Sequence, residues 1–133
     1  MYSWFRRPLF LLDPELAHNL TLKACARYPG LSRLFSTSKL DSRYQIKIGD
    51  GIWPSPVGLA AGLDKNAQAI DFFTRLPFGA VEVGTVTPRG QPGNDRPRLF
   101  RIKKEESLLN RMGFNNLGAD GVLANIKKSP RNG

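Results

Sequence analysis

The sequence predicts an α/β fold with buried parallel strands, behind a short helical unit at the N-terminus. Three observations carry that expectation. A stretch from Pro14 to about Arg27 has a wide apolar arc and opens on a strong helix start. Val57–Gly62 and Ala80–Val86 are apolar runs without the alternation of a half-exposed strand. A helical stretch lies between those two runs, and strand–helix–strand with buried strands means a parallel sheet.

Taken in order, Met1 to Leu12 mixes Tyr2, Trp4, Phe5 and Phe10 with leucines and Arg6/Arg7, a composition suited to a lipid interface. Asp13-Pro14-Glu15 supplies an N-cap, a proline at the first helical position and a first-turn acid. Leu16, Leu20 and Ala24 form one stripe of this helix, and His18, Leu22 and Cys25 a neighbouring one. A second short helix is expected from Leu31 to about Phe35. Tyr44, Ile46 and Ile48 alternate with polar residues, and Asp50-Gly51 is a hairpin turn leading into Ile52-Trp53. Asn66 to Arg75 reads as a helix with Ile70 and Phe73 inward and Asp71/Arg75 paired at spacing four. After a Gly/Pro-rich loop from Thr87 to Pro97, Leu99–Ile102 reads as a short strand, Glu105–Asn110 as a helix and Gly118–Lys128 as another.

Composition narrows function. The 133 residues carry a net charge of +9, which favours an anionic partner: nucleic acid, a lipid surface or a phosphorylated ligand. The excess is spread along the chain. Its densest stretch, Arg96, Arg98, Arg101, Lys103 and Lys104, reads as a solvated basic loop, Arg101 excepted. That stretch contains only Phe100 among aromatics, which argues against nucleic acid. The single cysteine, Cys25, excludes an internal disulfide, suits a reducing compartment and reads as a small apolar residue on a helix face. No Cys/His cluster suggests a metal. No apolar run reaches the ~20 residues of a membrane-spanning helix, and Leu9–Leu12 is too short for a signal-peptide core.

In a parallel α/β sheet the working residues lie at the C-terminal strand ends. The first such end is Ala61-Gly62-Leu63-Asp64-Lys65: either small residues admitting a planar cofactor beside a charged lysine, or a tight turn with a solvated lysine. The second carries Thr85, a donor to a ring carbonyl or phosphate, or equally a hydroxyl satisfying its own loop. Asn110-Arg111-Met112-Gly113-Phe114-Asn115-Asn116 sets three amides around a glycine, which suits a flat heterocycle with carbonyl and N–H edges but also an ordinary turn. His18, on an apolar helix face, reads by itself as a packed histidine.

Together these segments are specific. Val57-Gly-Leu-Ala-Ala-Gly-Leu-Asp-Lys-Asn66, Val81-Glu-Val-Gly-Thr-Val-Thr-Pro88, Gln91-Pro-Gly-Asn94, Arg96-Pro-Arg-Leu-Phe-Arg101 and Asn110-Arg-Met-Gly-Phe-Asn-Asn116 resemble, in order, the motifs of dihydroorotate dehydrogenases. Leu12-Asp-Pro-Glu-Leu-Ala-His18 is similar to the N-terminal helix of the class that passes electrons to a membrane quinone.

That resemblance implies the N-terminal portion of a (β/α)₈ TIM barrel, residues 41–133, preceded by a small helical membrane-associating domain, residues 1–40, that faces the quinone. It implies FMN at the barrel mouth, bound by Ala61, Gly62, Leu63, Asp64, Lys65 and Thr85. Dihydroorotate or orotate would contact Lys65, Asn110, Arg111, Met112, Gly113 and Phe114, and ubiquinone or a similar quinone would meet His18 and Arg101. A monomer on the cytoplasmic face of the inner membrane, if bacterial, is the implied setting, with no metal and no nucleic acid. The implied chemistry is proton removal from C5 of dihydroorotate by a serine and hydride transfer from C6 to the flavin, followed by reoxidation by quinone. Such a barrel takes ~250 residues. The serine base is expected beyond Gly133, so no catalytic residue is assigned here, and the 133 residues alone are expected to bind FMN poorly without turnover. Two alternatives are another flavin- or phosphate-binding barrel enzyme and a non-enzymatic basic module binding nucleic acid or lipid.

Overall fold

The computed structural model describes residues 8–35 and 40–130. The lipid-suited residues 1–7 and the polar end at 131–133 lie outside them. After a helical turn at 8–11, helix α1 spans Pro14–Arg27 and starts as its sequence dictates. The Asp13 carboxylate accepts the Leu16 N–H at 2.9 Å, and Tyr28 N–H closes the other end on Ala24 O. Of the two stripes on this helix, the one bearing His18, Leu22 and Cys25 turns inward, with Glu15 buried on the same side. Leu16 and Leu20 remain 47% and 46% exposed. A 3₁₀ turn at Pro29–Leu34 takes the place of the second short helix.

Strands β1 (Ile46–Ile48) and β2 (Gly51–Trp53) form the expected antiparallel hairpin, Ile46 opposite Trp53. The parallel pairing beyond it is narrower than the sequence suggested. It consists of one bridge, Leu59 to Val81, in which Leu59 N–H donates to Ala80 O and Glu82 N–H to Leu59 O, both at 2.9 Å. The runs at 57–62 and 80–86 are largely half-buried or exposed, because each has only one strand neighbour among the described residues.

The helix expected over 66–75 shrinks to α2, Ile70–Phe73. The cause is Asp64, which is only 2% exposed. Its carboxylate accepts Gln68 N–H at 2.8 Å and Ala69 N–H at 2.7 Å, so a side-chain-capped turn occupies the space of the first helical turn. The Asp71–Arg75 pair forms as expected, at 3.0 Å. Phe72 and Phe73 pack with Leu22 and Ala69 into the core, against which Cys25, Leu59, Leu76 and Val81 lie. Cys25 is therefore a packing residue, and burial raises its thiol pKa.

The segment 105–110 departs from the helix its sequence suggests. It is not a helix; β5 (Ser107–Asn110) pairs antiparallel with β4 (Leu99–Ile102), Leu99 opposite Asn110 and Ile102 opposite Ser107. The hairpin turns through Lys103–Glu105 and a left-handed Glu106, φ 45°. Short β3 (Arg89–Gln91) pairs with β6 (Asn116–Leu117), and α3 covers Gly118–Lys128 as expected.

The loop at 92–98 folds tightly against 111–115. Gly93 has φ +77°, and a Cβ there would lie 2.7 Å from Arg98 Nη1 and 2.8 Å from Asn115 Cβ. Gly93→Ala is expected to destabilise the protein by about 1–3 kcal/mol, combining overpacking with a left-handed backbone. Chemical denaturation reads this out; an unchanged midpoint would contradict the packing described.

Candidate functional site

A cavity of about 620 Å³ opens where the ends of the two parallel runs meet the β4–β5 hairpin and helix α1. Its size falls within the ~300–1,000 Å³ common for small-ligand sites. Ala61, Gly62, Leu63, Lys65, Gly84 and Thr85 line one side, and Asn110 to Phe114 another, with His18, Leu99 and Leu108 completing the wall. Eleven of the residues singled out from the sequence are thus brought together, although they come from segments as far apart as His18 and Phe114.

Small residues make one wall. At Gly62, φ +105°, an added Cβ would meet no atom within 4 Å, so that backbone borders open space. Lys65 is held beside it, its Nζ donating to Gly62 O at 2.9 Å. Burial, then the Arg98 charge, lowers the Lys65 pKa, while Glu15 partly offsets them. Among the described residues no Asp or Glu lines the cavity, whereas Lys65 and Arg111 do, so its charge favours an anionic occupant. Small residues bordering open space, a tethered cation and the hydroxyl of Thr85 suit a planar ring with a carbonyl edge, such as a flavin. The residues fit that group.

Asp64 departs from the sequence expectation. Its carboxylate is spent on Gln68 and Ala69 N–H groups, and it is absent from the cavity wall. Asn116, one of the three amides, is likewise structural. It is buried, its Oδ1 accepting Gly118 N–H at 2.8 Å and its Nδ2 donating to Phe114 O at 2.8 Å.

A second cavity, about 730 Å³, lies between α1 and the β4–β5 hairpin. Phe10, Pro14, Arg101, Ile102 and Lys103 line it, and it shares His18, Leu99 and Leu108 with the first. His18 therefore stands at the boundary between them. Burial, then Lys65, lowers its pKa below the ordinary 6.5, with Glu15 and Asp64 opposing, which favours the neutral imidazole. Arg101 reaches from the hairpin to the segment before α1, donating to Leu12 O at 2.7 Å, and its guanidinium lies 4.7 Å from the Phe10 ring centre.

Arg98 is not the solvated base its sequence context suggests. It is 6% exposed and ion-paired to the equally buried Glu15 at 2.8 Å. Glu15 and Asn94, which bonds the 110–114 loop, were not singled out as site residues. A first-turn acid and a loop amide are ordinary in sequence, and only the paired motifs around them hint at more.

Residues 44–132 match the family profile of dihydroorotate dehydrogenase. A dihydroorotate dehydrogenase (quinone) of Cronobacter sakazakii is 50% identical over 129 residues, 96% of this chain and 38% of that protein. One from Pseudomonas syringae is 46% identical over 133 residues, 100% of this chain and 39% of that protein. The crystal structure of DHODH from Eimeria tenella in complex with ferulenol superposes with a TM-score of 0.77 at 40% identity, over 87% of this chain and 30% of that one. The chain thus spans 38% and 39% of the two curated relatives.

Proposed function

We propose a function from one established premise, that the chain belongs to the dihydroorotate dehydrogenase family: it supplies part of the flavin, substrate and quinone sites of an enzyme that oxidises dihydroorotate to orotate. The acceptor is a membrane quinone and the pathway is pyrimidine synthesis. The single observation that carries this reading is the pair of adjoining cavities with His18 on their shared wall. Two adjoining cavities would let a carrier placed between them meet a substrate on one side and an acceptor on the other.

FMN, when bound, would accept hydride from the substrate and release electrons to the quinone. Ala61, Gly62, Leu63, Lys65 and Thr85 would hold it. The Lys65 ammonium would face the negative charge that gathers on the ring, and orient the substrate carboxylate. Asn110, Arg111, Met112, Gly113 and Phe114 would frame the pyrimidine. His18 and Arg101 would meet the quinone. Asp64 serves this site through its turn, by setting the position of Lys65, rather than by contact. The base that removes the C5 proton is not assigned to any of these 133 residues, and we expect no turnover from them alone.

We assign residues 1–40 to a membrane- and quinone-facing helical unit and 41–133 to the first part of the barrel. The half-exposed leucines of α1 and the exposed Leu11 support a lipid-facing surface. Among the described residues no helix is long and apolar enough to cross a membrane, so the proposed attachment is peripheral. We propose a monomer.

The full reading frame containing these residues should, once purified, form orotate from dihydroorotate with a quinone acceptor and bleach its flavin when substrate is added without acceptor. Orotate formation with a soluble acceptor but never a quinone would overturn the acceptor assignment. In that protein His18→Ala is expected to slow reoxidation by quinone about tenfold, the worth of one hydrogen bond in a partly buried site. It should leave flavin reduction unchanged. Stopped-flow separation of the two half-reactions checks this, and equal damage to both counts against the assignment.

A further inference from the structure

Glu15, Arg98 and Asn94 form a continuous path from helix α1 to the loop at 110–114. Glu15 lies one turn before His18 on the inward face of α1. Its Oε1 accepts from Arg98 Nη2 at 2.8 Å and from Arg96 Nη2 at 3.1 Å, and its Oε2 from Arg98 Nε at 3.1 Å. The remaining nitrogen, Arg98 Nη1, donates to Pro92 O at 2.6 Å and Asn94 O at 2.9 Å. Asn94 then continues the path. Its backbone N–H donates to Met112 O at 3.1 Å and its Nδ2 to Arg111 O at 2.8 Å. Arg111 N–H returns to Arg98 O at 2.9 Å. Gly113 sits so close that a Cβ there would lie 2.7 Å from Asn94 N.

We propose that Glu15, Arg98 and Asn94 are positioning residues that lock the His18 helix to the 110–114 loop, so that the acceptor side and the substrate side of the cavity keep one geometry. This rests on the function proposed above. Ionic burial by itself is a weak source of stability, since apolar residues of like volume often serve as well. What a guanidinium adds is direction: a rigid planar fork, here engaged through all three of its nitrogens, fixes orientation where an apolar contact would let the helix slide. Glu15 and Arg98 are 83 positions apart, so no local chain geometry supplies this link.

Hydrogen–deuterium exchange and orotate titration of the flavin spectrum test it in the full-length holoprotein. Glu15→Gln is expected to speed exchange of the Asn94 and Arg111 amides about tenfold, and to weaken orotate by roughly 3- to 10-fold though it touches no ligand. Asn94→Ala should weaken orotate similarly while α1 amides exchange as before. The control is Leu22→Ala, which loosens α1 through the core without touching the path. It should leave both amides and orotate affinity within about twofold of the parent, despite lowering the melting temperature. The proposal is overturned if Glu15→Gln leaves both amides unchanged, or if Leu22→Ala reproduces its loss of orotate. A parent protein that binds no orotate would instead sink the proposed function, and the exchange measurement then decides the link by itself.

Discussion

In the full-length protein with the proposed activity, replacing Lys65 by alanine is expected to slow flavin reduction by dihydroorotate about 10²- to 10³-fold, the usual effect of removing one preorganised donor from a site of developing charge. The expectation follows from where the ammonium is fixed. Its Nζ is tethered to Gly62 O at 2.9 Å on the wall of a cavity that no carboxylate among the described residues lines. A cation already held in place stabilises new negative charge without reorganising. Arginine would not substitute, because its wide planar fork cannot occupy the space of a compact ammonium against a glycine carbonyl. Stopped-flow bleaching of the flavin measures the rate, and an alanine variant within tenfold of its parent would remove Lys65 from the site.

The same lysine carries a pH signature. Its pKa lies below the ordinary 10.5, through burial first and the Arg98 charge second, with Glu15 pulling upward. A rate that needs the ammonium should therefore fall on the alkaline side at a lower pH than a free lysine would dictate. Glu15→Gln removes the upward pull and should move that fall to still lower pH; Arg98→Met should move it higher.

What the sequence could reveal depended on how local the cause was. The start of α1 was legible because the Asp13 cap and Pro14 act on the first helical turn alone; the β1–β2 hairpin was legible too, although its turn is Gly49-Asp50, with Gly51 already in β2 opposite Ile48. The β4–β5 hairpin was hidden. Its strands are four residues each, too short to separate period 2 from period 3.6, and its turn, Lys103 to Glu106, contains no Gly or Pro. The cavity wall was legible only through resemblance of whole motifs, since Ala61, Thr85 or Asn110 taken singly fits an ordinary turn. Asp64 shows the limit of that route. A carboxylate inside a ligand-binding motif looks like a ligand, yet its two backbone partners, Gln68 and Ala69, claim it. Arg98 was illegible for a different reason. Burial is a property of tertiary packing, and in a run of bases nothing marks the one whose acid lies far upstream.

That buried pair sets the second large effect. Glu15→Ala is expected to destabilise the protein by about 3–5 kcal/mol, because it leaves the Arg98 guanidinium buried without its counter-charge. Arg98 keeps its bonds to Pro92 O and Asn94 O, but these neutral carbonyls do not cancel a full charge. Replacing both residues by methionine should cost less than either single change, since the desolvated charges vanish together. Acid offers an independent check. The Arg98 hydrogen bond, opposed by burial and aided by Arg96, holds the Glu15 carboxyl below its ordinary 4.5. An acid whose folded pKa is depressed stabilises the fold above its unfolded value, and that contribution is lost as pH falls through the folded value. The parent should therefore lose stability between pH 4.5 and more acidic conditions by a margin that the double-methionine variant lacks. Equal acid slopes in denaturation of the two proteins would mean that the pair contributes nothing, and that the helix is held by Leu22 and its core neighbours alone.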